Sequence, residues 1–367
     1  YAQLRPEELA EIEGVDLVLG AAEKFRMLYF IDQLSHAPDG MTVHSGDIDQ
    51  AHHFESAYSM GDRTRTFLKV QDGCSYNCSF CTIPKARGKS RSDSVENVVD
   101  KAREVAEQGA KEVVLTGVNI GDFGKGQKID PNGKNRKEEE FIDLIRALDG
   151  VEGIDRFRIS SIEPNLCSDE IIEFVAQSDK FMPHLHMPLQ SGNNKILAQM
   201  RRRYQRELYA ERVEKIKALM PHACIGVDVI VGFPGESDED FLESYKFIRD
   251  MDISYLHVFT YSQRPGTPAA ERDDQVPVPQ RKERNAMLRN LSNKKQEAFY
   301  REHLGETREV LLEQGQDDGY YAGYTDNYIR VHVPPERAGI NHLKQVKLES
   351  INEKGSVNAR IRETVRV

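Results

Sequence analysis

Phe67-Leu68-Lys69-Val70-Gln71 reads as a strand, and Asp72-Gly73 ends it. Cys74-Ser75-Tyr76-Asn77-Cys78-Ser79-Phe80-Cys81 follows at once, with the spacing C-x3-C-x2-C. Three thiols on one short loop sit where strand-to-helix loops of parallel α/β proteins carry chemistry. As thiolates they suit a soft metal centre. Three ligands leave a fourth position open. Water takes it in a zinc site; substrate or cofactor can take it in an iron–sulfur cluster.

Around this loop, strand-like and helix-like segments alternate from Thr66 to Tyr261. The other strand candidates are Glu112–Thr116, Phe157–Ser161, His184–Pro188, Ile225–Val231 and Tyr255–Tyr261. Between the first two, Val95, Val98, Val99, Ala102, Val105 and Ala106 follow the i, i+3, i+4, i+7 spacing of an amphipathic helix. Ser94 is its expected N-cap and Gly109 its stop. Such alternation implies a parallel sheet covered by helices, open or closed as a barrel. A long charged helix is expected from Pro279 to His303, ended by Gly305. Short alternating segments follow at Arg308–Glu313, Tyr328–Val333 and Gln345–Glu349, which predict a small all-β module. At the other end, a helix over Pro6–Ile12 and a strand over Val15–Gly20 are too little to bury a core. Residues 37–63 read as a linker, and the charge run Lys125–Glu140 as a solvated loop entering a helix.

Composition narrows the function. The 367 residues carry a formal charge of -10, which excludes a global basic field for nucleic acid but not a local basic groove. No run approaches the ~18 apolar residues of a spanning helix. Five cysteines, three of them within eight residues, are not a disulfide framework. They point to a reducing compartment, hence the cytoplasm, and to metal or redox chemistry. The alternative is a zinc loop with a distant fourth ligand, but Cys167 and Cys224 have no partner at zinc spacing.

The cysteine loop resembles the signature of the radical S-adenosylmethionine superfamily. Further stretches resemble its methylthiotransferases: Gly73 to Pro84, Ala86 to Ser92, Leu115 to Ile120, Met187 to Asn193, Asp228 to Glu236, and Tyr261 to Pro268. Lys89 to Ser92 and Thr116 to Gly121 look most like the MtaB type, which methylthiolates threonylcarbamoyladenosine beside the tRNA anticodon. The resemblance implies a partial (β/α)6 barrel over 64–303 and a C-terminal TRAM barrel over 304–367. Residues 1–36 would be a remnant of an N-terminal α/β domain. It also implies that Cys74, Cys78 and Cys81 hold a 4Fe–4S cluster whose open iron takes S-adenosylmethionine. One cofactor molecule would methylate sulfur on a second 4Fe–4S cluster, and another would be cleaved to a 5′-deoxyadenosyl radical that removes hydrogen from adenine C2. The family's second cluster uses three N-terminal cysteines. No cysteine precedes Cys74, so the expectation is a chain that cleaves the cofactor without inserting sulfur. Expected partners are the tRNA anticodon loop, an electron donor such as flavodoxin or ferredoxin, and a sulfur donor, with no membrane.

For cofactor contacts the resemblance points to Phe80, Gly117, Asn119, Ser160, Ser161, Gln190, Ser191, Arg203 and Gly232. Several have a plainer reading: Gly117 and Asn119 as a turn, Ser160, Ser161 and Glu163 as caps before Pro164, and Gly232 with Glu236 as a capped strand-to-helix junction. Arg201–Arg203 offer an arginine fork for a carboxylate, or a solvated helix face. Lys85, Arg87, Lys89 and Arg91 beside the loop are expected phosphate or anticodon contacts, with Glu163 facing substrate. Tyr320, Tyr321, Tyr324 and Tyr328 could stack on unpaired bases or line the small barrel's own core and rim. His184 and His186 alternate on a strand and read as packing, and Cys167 and Cys224 as buried thiols. Rival functions are methylthiolation of isopentenyladenosine or of a ribosomal-protein aspartate, or a noncatalytic zinc-containing RNA-binding protein.

Overall fold

A computed structural model describes residues 1–36, 42–59, 64–125, 128–129, 135–136, 138–314, 319–335 and 339–362. Six parallel strands form its centre in two adjoining sheets. Arg65–Lys69, Glu112–Thr116 and Arg156–Ile159 make the first, with Ala57–Ser59 antiparallel on its outer edge. His184–His186, Cys224–Val231 and Tyr255–Thr260 make the second. The seam between them is a bridge from Phe157 to Phe181 and a bond from the Ile162 N–H to the His186 carbonyl (2.9 Å).

Strand periodicity divides the residues between two faces. Leu68, Leu115, Phe157, Leu185, Ile225 and Val227 point at the helices and are fully buried in the main core. Val95–Glu107, Phe141–Asp149, Asp169–Gln177, Arg206–Leu219 and Asp238–Asp250 cover that face. Ser94 caps the first of these through the Asn97 N–H (3.1 Å), and Gly109 leaves it at φ +87°, as the sequence predicts. The opposite face encloses a half-barrel interior, described with the site.

Helix Val278–Glu302 crosses the last two strands. It leads into a closed five-stranded barrel of Thr307–Gln314, Tyr321–Thr325, Arg330–Val333, Leu343–Ile351 and Val357–Ile361. The sequence reading misses two of these strands. Ala322 and Gly323 weaken the strand signal of the second, and Asn358 and Arg360 that of the last. Tyr328, expected inside a strand, lies in the preceding turn at φ +65°.

The N-terminal strand is Leu17–Leu19, and it pairs in parallel with Thr42–His44. The stretch read as a linker therefore carries two short strands and a turn at Ile48–Gln50. Each of these strands is only three residues long, so no local periodicity announces it. Residues 37–41 and 60–63 of that stretch lie outside the described residues, as do residues 126–127, 130–134 and 137 of the charge run. Among the described residues no helix is long and apolar enough to cross a membrane.

Candidate active site

The cysteine loop leaves its strand through Gly73, at φ +69°. A Cβ there would lie 2.1 Å from the Lys89 carbonyl oxygen, so the turn requires glycine. Gln71, fully buried, anchors the loop. Its Nε2 donates to the carbonyls of Asp72 (3.0 Å) and Gly73 (2.8 Å) and to Ser90 Oγ (2.9 Å). Its Oε1 accepts from the N–H groups of Val118 and Asn119, both at 2.8 Å. One side chain thus ties the loop to the end of the second strand, packed against Gly117. On the other side, the Ser79 hydroxyl donates to the Gln199 carbonyl (2.8 Å).

Every loop sulfur accepts a hydrogen bond. The Tyr76 N–H reaches Cys74 Sγ and the Ile83 N–H reaches Cys81 Sγ, both at 3.4 Å. Arg202 Nη1 reaches Cys78 Sγ at 3.2 Å. The other arm of that guanidinium pairs with Glu163, and Nε donates to Tyr204 (3.3 Å). Burial raises the Glu163 carboxyl despite Arg202, pushes the Cys74 thiol up to about 11 and raises that of Cys78. Thiols so buried ionise when a metal takes the proton's place, and N–H donors then stabilise the sulfur charge. Among the described residues no three His, Cys, Asp or Glu side chains converge on one ion. In a polynuclear cluster each thiolate takes its own iron, so the ligands surround a group larger than an ion. Three cysteine sulfurs on one loop, each with a hydrogen-bond donor, are a donor set that fits a three-cysteine iron–sulfur cluster.

The basic stretch behaves differently from the expectation. Asp72 is fully buried and receives Lys69 (2.8 Å), Arg87 (3.1 Å), Arg91 (3.3 Å) and Lys24 (3.4 Å). Burial alone would raise this carboxyl, but Lys69, the Gly73 N–H and Arg87 outweigh it and hold it well below the usual range. Arg91 is buried and also donates to the His53 carbonyl (3.0 Å), so it cannot meet RNA. Arg87 is held by the same carboxylate. Lys89 pairs at the surface with Asp49 (3.2 Å), and Lys85 is exposed, bonded to the Gly266 carbonyl.

Several expected cofactor contacts are near the loop. Phe80 packs edge-on against Phe233 in a small apolar cluster. Asn119 is buried, donates to Asp122 (3.3 Å), and has a side-chain oxygen without a hydrogen-bond partner. Ser160 and Ser161 line the half-barrel interior. Gln190, at φ +67°, donates its N–H to the Asp228 carbonyl (2.8 Å).

Others are not where the expectation put them. The Ser191 hydroxyl is buried and accepts from the Asn193 N–H (3.2 Å), completing a helix start. Gly232 has no open face for an adenine: a Cβ there would lie 2.4 Å from Arg281 Cγ. Its N–H donates to Glu236 (2.9 Å), which pairs with Arg284 (2.6 Å), so the capped-junction reading holds. Arg203 lies over the Tyr76 ring at 4.0 Å and donates to the Ser75 carbonyl (3.2 Å), whereas Arg202 reaches the sulfur. The selection is made by Arg201, whose φ of +58° turns the chain after helix Asn194–Gln199. A run of three arginines carries no signal of that turn.

Tyr324 and Tyr328 are not free stacking faces. Tyr328 lies between His184 (ring centroids 3.8 Å apart) and Tyr324 (4.4 Å), with Arg158 over it at 5.2 Å. Together they close the lower end of the half-barrel. Tyr320 remains exposed. His184 is buried, and burial, then the charge of Arg158, push its imidazole well below the ordinary value. His186 pairs with Asp228 (3.0 Å). Cys167 and Cys224 are buried thiols, each pushed up to about 12 by burial.

Comparison with known proteins follows the same lines. The radical SAM superfamily model matches residues 68–248. The threonylcarbamoyladenosine tRNA methylthiotransferase MtaB of Bacillus subtilis (strain 168) is 40% identical over 355 residues, covering 95% of this chain and 76% of that protein. Its counterpart in Aquifex aeolicus (strain VF5) is 38% identical over 335 residues, 90% of this chain and 77% of that protein. A tRNA-2-methylthio-N(6)-dimethylallyladenosine synthase from Pelotomaculum thermopropionicum is 38% identical over 255 residues, 70% of this chain and 55% of that protein.

Proposed function

The chain belongs to the radical SAM tRNA methylthiotransferases of the MtaB type, and on that premise we propose that it adds a methylthio group to C2 of threonylcarbamoyladenosine beside the tRNA anticodon. The observation that carries the reading is the cysteine loop itself, with a hydrogen-bond donor on each sulfur, in a chain aligned with those relatives along most of its length. Cys74, Cys78 and Cys81 would hold the 4Fe–4S cluster. With S-adenosylmethionine bound, such a cluster supplies a 5′-deoxyadenosyl radical able to take hydrogen from an unactivated C–H bond, beyond the reach of side-chain acids and bases.

The chain's own residues prepare that chemistry. Gln71 holds the loop against the second strand. Arg202, braced by Glu163, holds Cys78 and places positive charge beside its sulfur. Ser160, Ser161, Asn119 and Gln190, at the ends of the strands, are the polar groups offered to cofactor and substrate. The six parallel strands are read as a partial (β/α)6 barrel and the closed C-terminal barrel as a TRAM module. Lys85, Lys89 and Tyr320 remain as exposed RNA contacts. An unpaired anticodon-loop base reaches such a site without melting a duplex. The second cluster of the proposed reaction is not supplied by Cys167 and Cys224, which are each buried and alone. A low-potential electron donor and a sulfur source complete the set of partners.

The test is expression of the full-length protein in cells lacking tRNA methylthiolation, followed by mass spectrometry of tRNA nucleosides. A methylthio-threonylcarbamoyladenosine peak that disappears in Cys78→Ala is the expected result. A methylthio-dimethylallyladenosine peak would keep the chemistry and replace the substrate. Zinc without iron or sulfide, after anaerobic preparation, would sink the enzyme reading.

A further inference from the structure

The half-barrel interior contains a cavity of about 400 Å³ whose chemistry the cluster does not explain. Tyr328, stacked on His184, seals its floor. Phe67 and Val114 supply one wall; His186, Asp228 and His257 supply the other. Ser160 and Ser161 lie toward the cysteine loop, and Arg65 and Arg158 at the far end. Asp228 pairs with His186 yet keeps part of its side chain open (26%). It is also close enough to Glu163 for its charge to act on that carboxyl, so the cavity adjoins the Arg202–Glu163–Cys78 group. At the mouth, Phe259 shares the inner face of its strand with Tyr255 and His257 and is 53% exposed, the treatment a base-stacking ring would receive.

We infer that this cavity receives the N6 substituent of the target adenine and selects the polar threonylcarbamoyl group over an apolar dimethylallyl group. The inference rests on the proposed methylthiotransferase function and names its specificity determinants. An apolar group entering here would strip water from a carboxylate and imidazoles and return no hydrogen bond. A threonylcarbamoyl group carries ureido N–H groups and a hydroxyl that Asp228 and the serines can bond. A site built for polar contacts rejects analogues that lack them more strongly than an apolar pocket rejects a missing methylene.

The experiment measures methylthiolation by the full-length enzyme of two tRNA substrates, one bearing threonylcarbamoyladenosine and one bearing dimethylallyladenosine. Asp228→Asn and Asp228→Leu are compared with the wild type. Iron and sulfide content of each preparation establishes that the protein is folded and loaded. As a measurement free of variants, the two free nucleosides compete against tRNA on the wild type. We expect kcat/KM for the threonylcarbamoyl substrate, relative to the dimethylallyl one, to fall at least tenfold in Asp228→Asn, and threonylcarbamoyladenosine to be the stronger competitor. A wild type that prefers dimethylallyladenosine overturns both the functional reading and this inference. A wild type that uses threonylcarbamoyladenosine, with equal competition by both nucleosides or an unchanged preference in loaded Asp228→Asn, overturns the inference alone.

Discussion

The two ends of the half-barrel are made of similar residues engaged in opposite ways. At the lower end Arg158 and Glu112 are fully buried and paired at 2.8 Å, and Arg158 also donates to the carbonyls of Thr325 (2.7 Å) and Asp326 (2.9 Å) of the C-terminal barrel. Arg156 reaches Glu309 there (3.0 Å) and Arg65 reaches Glu313 (2.7 Å). Each charge meets a protein partner, and the stacked Tyr328 and His184 exclude water. At the upper end Arg202 divides its fork between a carboxylate and a thiol, and Asp228 and Asn119 keep polar atoms available. Charge at the lower end holds two barrels together; charge at the upper end is left to act on a bound group. Residue type does not distinguish the two uses. The completeness of the pairing does.

Glu112→Gln should separate the ends most clearly. Removing one partner of a buried pair leaves Arg158 without its carboxylate, at a cost of about 3–5 kcal/mol. A denaturant midpoint lowered accordingly, with iron content intact in the surviving folded protein, is the expected result. A midpoint equal to the wild type would mean that the lower end is not a structural joint.

His184 sharpens the same point through pH. The folded protein holds this imidazole neutral, while the unfolded chain takes a proton below about pH 6.5. The unfolded state then binds more protons, so stability falls as pH drops below that value, with a slope approaching about 1.4 kcal/mol per unit. In His184→Phe, which keeps a ring on Tyr328, that part of the slope should vanish. Denaturant titrations between pH 7 and pH 5 check it, and an unaltered slope would show that the buried ring is already charged.

The smallest expected effect lies at the upper end. Arg202→Lys keeps a cation for Glu163 but loses the planar fork that reaches Cys78 as well. Reduction of the cluster should become about tenfold less favourable, a shift of about 59 mV to lower potential for one electron, read by titration with electron paramagnetic resonance. Unfolding should barely move. A shifted midpoint of unfolding with an unshifted potential would make Arg202 a structural residue like Arg158.

Much of the fold was legible because parallel strands buried on one face announce themselves locally. Glu112–Thr116 was read to the residue, and Ser94 and Gly109 bounded their helix as capping chemistry requires. The cysteine loop was equally plain, since three thiols at that spacing have few other uses. The errors share a cause. Arg91 looked like an RNA contact because a basic run beside a site does not disclose a buried Asp72. Tyr328 looked like a stacking face because the ring that covers it, His184, lies more than a hundred residues away, and Tyr324 because Arg65 comes over its ring from a strand farther still. Gly232 looked like a cofactor cradle because Arg281 fills that space from a distant helix.

The sequence by itself therefore determined the alternation of strands and helices, the ligand loop and the family, since each is written in spacing between near neighbours. The tertiary structure alone decided which arginine reaches a sulfur, which cations are consumed by Asp72 and which aromatic faces stay open. Those outcomes depend on pairing between side chains far apart in the chain, and desolvation makes each such pairing all or nothing once water is excluded.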